Sequence, residues 1–151
     1  MPNPIPSRES SRYAGQYSGA FDAQRIIDIF SDSYRIALSS KNPETAKDRF
    51  YLSVEAYHQL MTMRVTEEIR KAIKTQMDEL AEKFPVQSIL NEAEGICEKA
   101  RKLKTIGKKL DLFDKAKARI KDGLLESPSN SLLIDANAKL QEEIEFTKNG
   151  I

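Results

Sequence analysis

The sequence has little of the residue types on which most catalytic and metal sites depend. It contains one cysteine, Cys97, one histidine, His58, and no tryptophan among its 151 residues. A single cysteine excludes a disulfide within the chain, and a metal site would have to rely on carboxylates alone. The P-loop, EF-hand and dinucleotide-binding glycine patterns do not occur either. We therefore expect no catalytic residue, no cofactor and no metal ion, and we predict that the chain is not an enzyme.

Long apolar runs and an excess of charge of either sign are also missing. No run approaches the ~20 apolar residues that a membrane-spanning helix needs, and residues 1–8 do not have the pattern of a secretory signal. We expect a cytoplasmic protein that does not bind membranes. Lysine and arginine total 24 against 23 for aspartate and glutamate, so the net charge indicates no class of partner.

Proline and glycine are concentrated at the start of the chain. Residues 1–19 contain three prolines and two glycines with few apolar side chains, which predicts an extended or disordered arm. From residue 20 onward apolar residues recur at helical spacing, and no segment alternates with the period of a strand. We predict one helical domain over residues 20–151, preceded by the arm.

Local signals divide this domain into helices. A first helix should end near Ser40, and Asn42-Pro43 should begin the next. From there the apolar pattern fits either one helix of about 40 residues or two helices with a break at 62–66, where Thr66 would cap the second. Phe84-Pro85 predicts a helix boundary, because a residue before proline avoids the helical region.

The second half of the chain has two further signals. Gly107 makes a kink or turn at 105–108 an alternative to a helix that continues. Residues 127–130 predict a turn, and a final helix should end at a glycine near residue 150. Short connections favour antiparallel neighbours. The predicted fold is therefore all-α, with five or six helices in antiparallel hairpins or a bundle.

One segment resembles a known family. Ala116, Ile120, Gly123 and Pro128 have the spacing of the second half of a tetratricopeptide repeat, and Asn130 then opens the next helix as in such a repeat. The match covers residues 116–130, and no clear 34-residue period recurs along the chain. The resemblance implies a protein-binding scaffold with a concave surface, and it implies no chemistry.

Basic residues are concentrated between 99 and 121, where ten lysines or arginines stand against two aspartates, and both flanks are acidic. On a continuous helix, five of them would form one row opposite the apolar residues: Arg101, Lys104, Lys108, Lys115 and Arg119. This basic row could follow the phosphates of a nucleic acid or another anionic surface. It is equally the polar face that any amphipathic helix shows, and it could pair with the acidic flanks.

Several large apolar residues lie off the predicted core faces of their helices. They form a candidate apolar interface: Ile29, Ile36, Leu52, Leu132, Ile134 and Phe146. A helix with two apolar faces needs two neighbours, and in a small domain one of them can be another chain. We therefore expect a helical protein-interaction module, such as an adaptor, scaffold or oligomer subunit, with a protein partner or self-association. Nucleic-acid binding through residues 99–121 is the alternative.

Overall fold

The computed structural model describes residues 19–150, which form helices and no strand. The helices are α1 (Gly19–Ser39), α2 (Pro43–Met61), α3 (Glu67–Lys102), α4 (Ile106–Glu126) and α5 (Ser131–Lys148). The all-α prediction is confirmed for this part of the chain. The predicted arm, residues 1–19, lies outside the described residues except for Gly19. None of the described helices combines the length and the apolar character that crossing a membrane requires.

The described residues form two units, each with its own apolar core. The first unit contains the residues through Leu38 and Glu44–Phe84. Its most deeply buried large side chains are Phe30, Leu60 and Leu80. The second unit contains Ser39–Pro43 and the described residues from Pro85 onward. Its buried core residues are Ile89, Ala93, Cys97, Ala100, Phe113, Ala116, Ile120, Leu133, Leu140 and Ile144.

The connection between α2 and α3 confirms the break that Thr66 indicated. The Thr66 hydroxyl accepts a hydrogen bond from the Ile69 amide at 3.2 Å, which caps the start of α3. Arg70, one turn into α3, donates to the carbonyls of Met61 at 3.0 Å and Met63 at 2.9 Å. The Met61 carbonyl ends α2 and the Met63 carbonyl lies in the connection, and neither has an intrahelical partner. The break is therefore held from both sides.

The boundary predicted at Phe84-Pro85 is wrong, because α3 continues through Pro85. Proline cannot donate the backbone hydrogen bond of a helix interior and costs about 3 kcal/mol there relative to alanine. Packing on each side of it opposes this cost. The Phe84 ring stacks on Phe50, with centroids 4.5 Å apart, in the first unit. Val86 packs against the core of the second unit.

Replacing Pro85 with alanine should therefore stabilise the protein. Pro85 is exposed, so Pro85→Ala removes little packing and restores a backbone donor. We expect the free energy of unfolding to rise by about 2 kcal/mol, after the smaller loss from a more flexible unfolded chain. Urea denaturation followed by circular dichroism measures this. Pro128→Ala, in the turn before α5, is the control and should lower stability by up to about 1 kcal/mol. If both variants lose stability alike, the helix does not continue through residue 85.

Between α3 and α4 the helix breaks just before the expected place. Residues 103–105 are not helical, and α4 begins at Ile106 with Thr105 as its first flanking residue. Gly107 lies inside the first turn of α4, so the break precedes the glycine. The segment that contains the basic row is therefore two helices rather than one.

The α4 and α5 helices form a hairpin around residues 127–130. The Asn130 side chain accepts a hydrogen bond from the Leu133 amide at 3.1 Å and caps α5. Gly150 follows α5 with a φ of 76°, as expected of a glycine stop. The turn, the cap and the end of α5 were all predicted correctly. The assignment to a tetratricopeptide repeat stays a prediction.

Gly123 allows α4 to approach both of its neighbours in the second unit. A Cβ atom at this position would lie 2.8 Å from the Ile89 Cδ1 of α3 and 3.2 Å from the Leu133 Cδ1 of α5. These distances leave no space for a side chain without movement of both neighbours. A Cβ atom at Gly107 would have no such atom within 4 Å.

The two glycines of α4 should therefore respond in opposite directions to a side chain. We expect Gly123→Val to lower the free energy of unfolding by about 2 kcal/mol through overpacking. Gly107→Ala should raise it by up to about 1 kcal/mol, because alanine favours the helix and meets no neighbour. Chemical denaturation of both variants measures the difference. Equal destabilisation would contradict the close approach at residue 123.

Candidate functional site

The basic row is divided between two helices and their connection. Arg101 lies in the last turn of α3, Lys104 in the connection, and Lys108, Lys115 and Arg119 on α4. The row was predicted for one continuous helix. Because the helix is broken at 103–105, the five residues do not form a single row along one helix. The two arginines also have partners among the acidic residues on either side.

Arg101 connects α3 to α5 through two carboxylates. Its Nε and Nη2 donate to the two carboxylate oxygens of Glu143, both at 2.8 Å. Its Nη1 donates to Glu94 on α3 at 2.9 Å. This hydrogen bonding lowers the pKa of Glu143 and raises that of Arg101. Planar, two-pronged pairs of this kind are the stronger class of ion pair.

Other basic residues contact acidic or polar side chains of the second unit through single contacts. Arg119 donates to Glu92 of α3 at 2.8 Å, and Lys117 contacts Gln141 of α5. Lys41, in the connection between α1 and α2, pairs with Glu98 and thereby lowers the pKa of that carboxyl. Pairing of the basic segment with its acidic flanks is thus seen at two positions of the basic row.

The Arg101–Glu143 pair should make the second unit sensitive to acid. Since the pKa of Glu143 is lowered on folding, its contribution is present above the ordinary glutamate pKa of about 4.3 and is lost as pH falls through the lower folded value. We expect Glu143→Gln to cost about 1 kcal/mol at neutral pH, a discounted value for a partly exposed pair. The variant should also lose less stability than the wild type between neutral and acidic pH.

Urea denaturation at a series of pH values tests this expectation. Glu142→Gln is the matched control, since Glu142 is the exposed neighbour of Glu143 on α5. It should keep the wild-type dependence on pH. If Glu143→Gln and Glu142→Gln have the same profile, the pair with Arg101 does not contribute to stability.

The candidate apolar interface falls into three residues in each unit. In the first unit Ile29, Ile36 and Leu52 are half-buried, and Ile29 packs against that unit's core. In the second unit Leu132, Ile134 and Phe146 are exposed on α5, at 56%, 46% and 57% of their surface. The largest apolar exposure among the six is therefore on α5.

Two of these three residues share one face of α5. At about 100° per residue, Leu132 and Phe146 lie within about 40° of each other around the helix axis, and Ile134 lies on the other side. Between them on the same side follow Ala136, Lys139 and Glu143. These five residues, Leu132, Ala136, Lys139, Glu143 and Phe146, are called the α5 face below.

A cleft of about 210 Å³ lies beside the middle of the α5 face. Its apolar lining includes Leu90, Ala93 and Cys97 from α3, Ile120 from α4, and Ala136 and Leu140 from α5. Charged side chains complete the lining: Glu94, Arg101, Lys139 and Glu143. An apolar cleft with a few polar groups at its margin is the usual form of a binding site. It can receive an apolar group while the charges fix its orientation.

Sequence reasoning identified Leu132 and Phe146 but missed the cleft and the charged residues between them. The spacing of residues 132, 136, 139, 143 and 146, alternately four and three apart, could have indicated that they share a face. The cleft itself had no such signal, because it depends on which helices of the second unit are neighbours.

Cys97 and His58, the single cysteine and the single histidine, do not have the surroundings of catalytic residues. Burial raises the pKa of the Cys97 thiol to about 11. Arg101 has a smaller effect that lowers this pKa, and Glu94 and Glu143 have smaller effects that raise it. The thiol is therefore protonated at neutral pH and is a poor nucleophile. His58 is exposed on α2 beside the Tyr57 ring. Within residues 19–150, no three His, Cys, Asp or Glu side chains come together as ligands for a metal ion.

Comparison with protein-family models, with curated proteins and with solved structures gives no significant match to this chain.

Proposed function

We propose that this chain is a non-enzymatic helical module that binds another protein chain through the α5 face. The observation that carries the proposal is the exposure of Leu132 and Phe146 at the two ends of a face whose middle borders the 210 Å³ cleft. Leu132 and Phe146 are about 21 Å apart along the helix at 1.5 Å per residue, a length suited to a partner helix or an extended peptide.

The chemistry of the face supports this proposal. Aromatic and large aliphatic side chains that are exposed in the free protein and lie beside a pocket are typical anchors of protein interfaces. The charged residues of the α5 face would orient the partner rather than supply most of the affinity. The resemblance of residues 116–130 to a tetratricopeptide repeat supports the same proposal, since that family implies a protein-binding scaffold.

Nucleic-acid binding through the basic row has less support. Phosphate contacts require lysines and arginines that face solvent without a carboxylate partner. Arg101 and Arg119 are hydrogen-bonded to glutamates, and the row is interrupted at 103–105. Protein binding through the α5 face is therefore the better supported of the two functions.

The proposal predicts that charge on the α5 face abolishes partner binding. The immobilised wild-type chain and a Leu132→Glu/Phe146→Glu variant are incubated with an extract of the source cells, and the retained proteins are quantified by mass spectrometry. We expect a partner whose retention falls at least tenfold in the variant, because two apolar anchors are lost. Direct titration with the purified partner then confirms the difference in affinity.

Ile134→Glu is the control, because it replaces an exposed apolar residue with glutamate on the other side of the same helix. It should retain the partner at the wild-type level. Circular dichroism and thermal unfolding show that all variants are folded. Retention that is equal in the wild type and the Leu132→Glu/Phe146→Glu variant would refute binding through this face.

A further inference from the structure

The α5 face has the spacing of a helix that pairs with another helix. Its five residues are separated alternately by four and three positions, as are the residues at the contact line of a coiled coil. The ends of this line are apolar, Leu132 and Phe146. The middle carries one charge of each sign, Lys139 and Glu143, and one small residue, Ala136.

The two charges are four residues apart, which makes the face complementary to itself. When two copies of α5 run antiparallel, Lys139 of each copy can face Glu143 of the other, and this pair is formed twice about one two-fold axis. Lys139 is exposed and forms no ion pair with another described residue. Glu143 already binds Arg101, but a carboxylate accepts more hydrogen bonds than Arg101 supplies.

The same register places the largest exposed ring against the smallest residue of the face. With Lys139 opposite Glu143, Phe146 of each copy lies opposite Ala136 of the other. Ala136 borders the cleft between α3 and α5. A cavity of about 150 Å³ is enough to hold a benzene molecule, so a cleft of about 210 Å³ has room for the phenyl ring.

We propose that a second copy of this chain occupies the α5 face. The two α5 helices run antiparallel, Lys139 of each copy pairs with Glu143 of the other, and each Phe146 enters the cleft beside the other copy's Ala136. This inference rests on the proposed function, protein binding through the α5 face, and it names the partner and the register. Both clefts are then filled and both Phe146 rings are removed from water.

Charge disfavours two other ways of pairing two copies of this face. In a parallel pair, Lys139 would face Lys139 and Glu143 would face Glu143. In the antiparallel register that places Leu132 opposite Phe146, Lys139 would again face Lys139 of the other copy. Glu143 would face Asp135 of the other copy. Like charges opposite each other disfavour a register, so of these three pairings the proposed one alone brings together opposite charges and a ring with a cleft.

The test is sedimentation of the full chain from micromolar to millimolar concentration, with variants that separate the registers. We expect the wild type to dimerise, and Phe146→Glu to raise the dissociation constant about 100-fold, because two buried aromatic anchors, one from each copy, are lost. Ile134→Glu is the matched control and should stay within about threefold of the wild type, because it lies off the interface.

Lys139→Gln decides the register. In the proposed pairing it removes both contacts between Lys139 and Glu143, so dimerisation should weaken about tenfold. In the registers that place Lys139 opposite Lys139, the same substitution removes a lysine–lysine repulsion and should strengthen dimerisation. Far-ultraviolet circular dichroism and the melting temperature confirm that each variant is folded.

Three results would overturn the proposal: a wild type that is monomeric at every concentration, equal effects of Phe146→Glu and Ile134→Glu, or tighter association of Lys139→Gln. These results do not by themselves refute the proposed function, protein binding through the α5 face. If the wild type is monomeric but retains a different protein that the Leu132→Glu/Phe146→Glu variant loses, the α5 face binds protein and the second copy is the wrong partner.

Discussion

The second unit depends on the absence of a side chain at Gly123. At this position α3 and α5 both come so close to α4 that a Cβ atom would lie only 2.8 Å from the Ile89 Cδ1 and 3.2 Å from the Leu133 Cδ1. One turn earlier on α4, Ile120 lies between the same two helices and lines the cleft. The close approach therefore brings α3 and α5 to the same part of α4, and the space left between them is the candidate binding site.

Electrostatic pairing adds orientation to this apolar contact. Arg101 joins the end of α3 to α5 through Glu143 and stands at the margin of the cleft. The pair is partly exposed, so its contribution to stability is modest, but it fixes which side of α5 faces α3. The cluster of basic residues in the sequence suggested an external anionic partner. Two of these residues, Arg101 and Arg119, instead bind glutamates within the second unit.

The sequence predicted those features that depend on a few neighbouring residues. Thr66 and Asn130 cap the helices that follow them, because a cap needs only the next three residues. The boundary at Pro85 was wrong because packing of Phe84 and Val86, residues with partners far along the chain, outweighs the local preference. The exposed apolar residues of α5 were likewise found from spacing, whereas the cleft beside them depends on the neighbours of α5.

Pro85 also has a consequence for how the chain could be divided. Within α3 it occupies an unfavourable position, yet proline is well suited to the first position of a helix, where its missing donor is not needed and its φ is already helical. The second unit resumes at this residue. A chain cut before Pro85 would open on a residue that favours helix initiation, and would lose from this unit only the 39–43 segment with its exposed Lys41–Glu98 pair. The same ring that weakens the intact helix would then serve as the start of a separable domain.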